Sequence, residues 1–271
     1  MRKIASQLEA MLPHSARRFL LGSPAEPSRL ANGVHALLNC IPGERVPCLP
    51  CAGVLQGYRM KIDWSRHRSF VSGGWEPDVV NAVAKVVRPG TCALDVGAHI
   101  GFYTLLLARL VGPQGRVLAF EPLPWNFATL SENVRINNLA QVELINKALL
   151  DRTCELQANV PEGELLPGSV SFSSPDEKKN ARATAVSLDD FPRRSNRSVQ
   201  FMKIDVEGAE SLVLLGASKT IETDHPAMVI EVHHFDHSQP DTSPVIDQLQ
   251  GWGYQVKWLS RWAQTSHLLA I

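Results

Sequence analysis

Apolar and polar positions fall into a regular order after Gly73-Gly74. Val79, Val80, Val83, Val86 and Val87 recur at helical spacing behind Glu76-Pro77, and Glu76 and Asp78 place negative charge at the first turn, where the helix dipole favours it. Short apolar runs then alternate with helical patterns. Residues 92–96, 116–120, 142–146, 201–204 and 228–232 read as strands. Helices are predicted over 102–110 and 125–137, from 209 onward, and over 245–250. Two more strands are predicted near 254–258 and 268–271, and hairpin strands near 154–159 and 170–172. Strands alternating with helices specify an α/β fold, a doubly wound and mostly parallel sheet with helices on both faces. Such sheets bind ligands beyond the carboxyl ends of their strands, at the point where strand order reverses. Chemistry is therefore expected at the strand tips.

Upstream the pattern is weaker. Pro13, Pro24, Pro27, Pro42, Pro47 and Pro50 punctuate residues 1–52, which read as an irregular or helical N-terminal extension to a domain over 53–271. Within 53–71, Val54, Leu55, Tyr58, Met60 and Ile62 alternate partly, as short strands would. The Gly-, Ser-, Pro- and Lys-rich stretch 161–184 reads as a connection between elements.

Charge narrows the partners. With 27 basic and 27 acidic residues the net charge is zero, so no excess of cations is available for nucleic acid. No apolar run approaches the roughly 20 residues that span a bilayer, and the polar residues after Met1-Arg2-Lys3 do not make a secretory leader. A cytoplasmic protein acting on a small molecule, with neither nucleic acid nor membrane as partner, is the expectation. Five cysteines suit a reducing compartment. Cys48 and Cys51 have metal-ligand spacing, with Cys40 and His35 nearby, but no second matched pair accompanies them and no zinc site is predicted.

Four blocks at strand ends carry the chemistry. In Leu94-Asp95-Val96-Gly97-Ala98-His99-Ile100-Gly101-Phe102, Gly97 permits a sharp turn and Gly101 a close approach of helix to strand. Asp95 is then placed to accept a hydrogen bond from an ammonium group such as that of S-adenosylmethionine. A dinucleotide fingerprint needs glycine at the third and sixth positions from Gly97, where this chain has His99 and Phe102. In Phe120-Glu121-Pro122, Glu121 can accept from two ribose hydroxyls, or serve as a helix N-terminal carboxylate. The third block, Lys203-Ile204-Asp205-Val206-Glu207-Gly208-Ala209-Glu210, clusters carboxylates that could orient a substrate hydroxyl, act as a general base or bind a divalent metal, with Asp205 at the strand tip and Glu210 read as structural. The fourth, Glu231-Val232-His233-His234-Phe235-Asp236-His237, offers Glu231 or His233 an acceptor-side role. Neither block has metal-ligand spacing, so activity without a metal is expected.

In this order the blocks resemble the FkbM family of methyltransferases, over about three quarters of the chain, from Gly53 to Trp258. Gly74-Trp75-Glu76-Pro77, Asn133, Asn137, Asn138, Ala148 and Ser187-Leu188-Asp189 add to the resemblance, and His99 departs from it where the family usually carries Asn. The resemblance implies a class I methyltransferase fold, mostly parallel with a final antiparallel strand, and S-adenosylmethionine as cofactor. It implies a cofactor site built from Glu76, Asp95, Gly97, Ala98, His99, Gly101, Phe102, Glu121, Pro122, Ala148 and Asp205. The acceptor it implies is a hydroxyl on a sugar or natural product, with Asp205 or His233 as the base. Methylation of nitrogen or of a protein side chain, and a non-catalytic adenosyl-binding module, are the alternatives.

Overall fold

A computed structural model describes residues 48–158, 181–192, 197–234, 243–262 and 264–271. The chain divides between Glu76 and Pro77 into two compact units. In the first, strands β1 (Cys48–Pro50) and β2 (Arg59–Lys61) pair antiparallel, and helix α1 (Trp64–Ser72) follows. This corrects the expectation of strands alone over 53–71. Trp64, His67, Phe70 and Val71 are all buried, a helical spacing that the intervening Ser and Arg residues conceal. Ala52 N–H donates to Val71 O at 2.8 Å.

The second unit opens with α2 (Pro77–Val86), with Asp78 in its first turn, and continues through β3 (Cys92–Val96), α3 (Phe102–Val111), β4 (Arg116–Phe120), α4 (Pro124–Ile136) and β5 (Val142–Ile145). The short strands β6 (Ala148–Leu149), β7 (Cys154–Ala158) and β8 (Ala181–Val186) form a separate three-stranded sheet. Strand β8 takes the last residues of the stretch read as a connection, and it is the partner of β7. The hairpin strand expected near 170–172 lies outside the described residues. Then come β9 (Phe201–Ile204), α5 (Glu210–Gly216), α6 (Ser218–Asp224), β10 (Ala227–His233), α7 (Pro244–Gly251), β11 (Val256–Arg261) and β12 (Thr265–Ala270).

The main sheet has seven strands in the order β11-β12-β10-β9-β3-β4-β5. All pair parallel except β12, which runs antiparallel between β10 and β11. This is the class I methyltransferase order, and it reverses direction at β3, between β4 and β9. Register then sorts side chains by face, because paired residues point the same way and direction alternates along a strand. Leu94, Val96, Met202, Ile204, Ile230, Val232 and Leu268 share one face and form an apolar core on it. That face packs on Val213 and Leu214 of α5, Ile221 of α6 and Leu249 of α7. On the other face, Asp95 pairs with Lys203 and Glu231 with His267. Asp205 and His233 follow by two residues on the same side. The second face, against which α3 packs, turns ionic at the carboxyl ends of its strands.

Candidate active site

The turn from β3 into α3 is tied to the tip of β4. Gly97 N–H and Ala98 N–H both donate to Phe120 O, at 3.0 and 2.9 Å. Gly97 has φ 84°, and a Cβ on it would lie 1.7 Å from Asp205 O. The backbone leaving β9 passes directly over this residue, so only glycine fits. Gly101, with φ 100°, meets the end of the Leu130 side chain on α4, so the close approach is between helices rather than between helix and strand. His99 has φ 50°, a left-handed conformation that Asn and His adopt more readily than most residues. Asn133 Nδ2 donates to Ile100 O at 2.7 Å and fixes the turn from the α4 side. Phe102 opens α3, buried, with its ring edge-on to Tyr103.

Two buried carboxylates flank this turn. Asp95, 1% exposed, accepts from Thr104 Oγ1 at 2.5 Å. Burial raises its pKa to about 6 against the opposing pull of that hydrogen bond and of Lys203. Glu121 accepts from His99 N–H at 2.8 Å, Leu123 N–H at 3.0 Å and Asn126 Nδ2 at 3.5 Å. Burial raises it to about 7, with the backbone donors working the other way. Leu123 is the N-cap of α4, so Glu121 meets the N-terminal side of that helix and also the backbone of the β3–α3 turn. Asn146 Nδ2 donates to Glu121 O and Pro122 O, at 2.8 and 3.1 Å. Ala148 is half-buried in β6.

Beyond β9 and β10 the charges interlock. Asp205, with a side chain 32% exposed, lies 3.5 Å from the Lys203 ammonium, and Glu207, 31% exposed, lies 3.2 Å from His233 Nε2. His233 Nδ1 meets buried Glu210 Oε1 at 2.7 Å, and Gly208 N–H donates to the same oxygen at 2.8 Å. Burial pushes the His233 pKa down, but its hydrogen bonds to Glu207 and Glu210 outweigh that and hold it at about 10. His233 is thus an imidazolium at neutral pH, with both ring N–H groups donating. It cannot take up a proton, which corrects its expected role as a base. Glu231 is held down at about 2: burial opposes this, and contact with His267 and the charges of Lys203, His267 and His233 prevail. His267 Nε2 lies 3.2 Å from Glu231 Oε2, and its Nδ1 is 3.0 Å from Ser260 Oγ. Glu207 has φ 55°, left-handed for a residue that gains nothing locally from it. That geometry delivers its carboxylate to His233.

Asp205, Glu231 and His233 each offer an atom within 4.8 Å of the others, close enough to consider a metal. The donor chemistry is unfavourable. The protonated imidazole has no lone pair to give, and the Lys203 ammonium already neutralises this group of carboxylates.

The structure thus gathers Asp95, Gly97, Ala98, His99, Gly101, Phe102, Glu121, Pro122, Asp205 and His233 around the switch point. Glu76 is the last residue of the first unit and has φ 37°. His234 points to the opposite side of its strand and contacts Ser266 Oγ at 3.1 Å. Asp236 and His237 lie outside the described residues, as do Cys40 and His35, while Cys48 and Cys51 belong to the first unit. The sequence alone assigns no role to Lys203 and does not point to His267. The signal for Lys203 was a charged residue inside an otherwise apolar strand, whereas His267 follows Thr265 and Ser266 and carries no such mark.

Residues 95–256 match the sequence profile described as the methyltransferase FkbM domain. A 31-O-demethyl-FK506 methyltransferase FkbM from Streptomyces tacrolimicus is 28% identical over 205 residues, 63% of this chain and 75% of that protein. Methyltransferase 1 of Beauveria bassiana is 28% identical over 145 residues, 45% of this chain, and the match spans 57% of its length. The crystal structure of a methyltransferase FkbM from Methylobacillus flagellatus aligns with 17% identity and a TM-score of 0.47, covering 77% of this chain and 54% of that one.

Proposed function

This chain belongs to the methyltransferase FkbM family, and from that premise we propose that it methylates a hydroxyl oxygen of a small molecule, a sugar or natural product, using S-adenosylmethionine. The observation that carries the reading is the convergence of Asp95, the Gly97 turn and Glu121 on adjacent strand tips at the point of strand reversal. Asp95 receives the ammonium of the cofactor's methionine part, Glu121 the ribose hydroxyls, and the Gly97–Gly101 backbone lies along the ligand. The cofactor supplies a methyl group already activated by the sulfonium charge. Asp95, Glu121, Asp205 and Glu231 surround that position with carboxylates, which suits a cationic ligand.

The protein's share of the catalysis is then mainly alignment, which in well-oriented systems is worth about 7–11 kcal/mol. Asp205 is the group that accepts the acceptor's hydroxyl proton. It is partly exposed, it lies at the tip of β9, and Lys203 stabilises its charge. An oxygen acceptor also agrees with the name of the Streptomyces tacrolimicus relative. Calorimetry with S-adenosylmethionine, followed by transfer of labelled methyl to candidate hydroxyl compounds, tests the reading. No cofactor binding, or label found on nitrogen, overturns it. Asp205→Asn is expected to keep cofactor affinity and lose roughly 100-fold or more in turnover, because the amide cannot take up a proton. Equal losses of affinity and turnover move Asp205 to the cofactor side.

A further inference from the structure

We propose that Lys203 is a positioning residue whose buried ammonium, in register with Asp95 and against Asp205, holds the Asp95 carboxylate ready for the cofactor's ammonium group. The proposal rests on the assignment of Asp95 to the cofactor's ammonium group.

Lys203 is 1% exposed in the middle of β9, where its neighbours Met202 and Ile204 are fully buried. Its ammonium lies 3.5 Å from Asp205 Oδ2, 3.5 Å from Ile204 O and 5.0 Å from the centre of the Tyr103 ring. Its register partner on β3 is Asp95, so both side chains leave the same face. A buried ammonium is costly to desolvate, and replacing buried ion pairs by apolar residues is often neutral or stabilising. Stability alone therefore does not call for a lysine here. What the ammonium does is set the charge of its neighbours. Burial alone drives the Asp95 carboxyl toward its neutral form, and Lys203 acts against this. It acts in the same sense on Glu231. The other titratable groups facing this cluster are Glu121 beyond β4, Glu207 and Glu210 after β9, His233 on β10 and His267 on β12. Of these, only the His233 imidazolium adds an assigned cation, and it is committed to Glu207 and Glu210.

The experiment is S-adenosylmethionine affinity by calorimetry from pH 5.5 to 8.5 in the full chain, for wild type, Lys203→Met, Lys203→Arg and Asp95→Asn. Lys203→Met is expected to bind about twofold more weakly at pH 7 and about sixfold more weakly at pH 6, and to match wild type at pH 8.5, as an upward shift of about one unit from about 6 in Asp95 requires. Lys203→Arg keeps the charge and should keep the wild-type profile. A loss in Lys203→Met that is equal at every pH, or no loss at all, overturns the proposal. Wild-type affinity in Asp95→Asn instead overturns the assignment of Asp95, a separate result. If Lys203→Met does not fold, NMR of wild type with isotope-labelled lysine decides. The Lys203 side-chain resonance should move with a step near pH 6, and that step should vanish in Asp95→Asn. A resonance without the step overturns the proposal.

Discussion

His233 carries a charge that its residue type does not imply. An ordinary histidine is half-protonated near pH 6.5, whereas two carboxylates hold this one at about 10. Its folded pKa lies above its unfolded one, so the stabilisation is complete below about pH 6.5 and disappears as pH rises through about 10. Thermal unfolding followed from pH 6.5 to 10 should therefore show falling stability in wild type and a flatter profile in His233→Gln. An unchanged slope would mean that the ring is neutral and free to act as a base. Glu121 presents the reverse situation, a carboxylate kept near neutrality by burial. Glu121→Ala should weaken S-adenosylmethionine binding by about 1.5–3 kcal/mol, the range for hydrogen bonds to a charged acceptor. Wild-type affinity in a folded Glu121→Ala protein removes the ribose assignment and leaves Glu121 as a clasp between the His99 and Leu123 amides.

Between elements, one contact decides how closely β3 and β9 can exit the sheet. A methyl group on Gly97 would overlap a backbone oxygen at 1.7 Å, whereas on Gly101 it would meet the movable end of Leu130 at 2.7 Å. Gly97→Ala is expected to cost about 3 kcal/mol or more and to abolish cofactor binding, and Gly101→Ala about 1–3 kcal/mol. Denaturant unfolding and calorimetry of the two variants check this, and equal effects would refute it. The sequence made both glycines visible but gave Gly101 the wrong neighbour, because spacing shows where a turn is tight and not which element lies across it. The parallel strands were legible because each is a short apolar run bounded by a turn. Helix α1 was not, since its buried Trp64, His67, Phe70 and Val71 are separated by polar residues and one of the four is itself polar. Strand β8 was not legible because its buried positions are mostly alanine, Ala183 and Ala185 beside Val186. The acids at strand tips could be read from position alone. Their pairing could not, since Asp95 meets Lys203, and Glu231 meets His267, only through register between strands distant in sequence.

For the molecule as a whole, the face-by-face division of the sheet lets a cluster rich in carboxylates exist beside an intact apolar core. Lys203 and His233 provide internal cations for that cluster, and the expected result is activity independent of added metal. Turnover should survive EDTA, and a loss restored by magnesium would make Asp205 and Glu207 ligands instead. Among the described residues no helix is long and apolar enough to cross a membrane.

The placement of β12 bears on how the protein is made. Strand β12 lies between β10 and β11 although it follows both in sequence. While the chain emerges from the ribosome, β10 keeps an open edge and β11 has no partner until Thr265–Ala270 arrive. The sheet closes by insertion rather than by extension, and His267 reaches Glu231 in that same late event. The Glu231–His267 pair is thus added after β3, β9 and β10 have supplied the rest of the ionic face. A nascent chain holding every strand-tip acid through β10 would still lack the partner of Glu231.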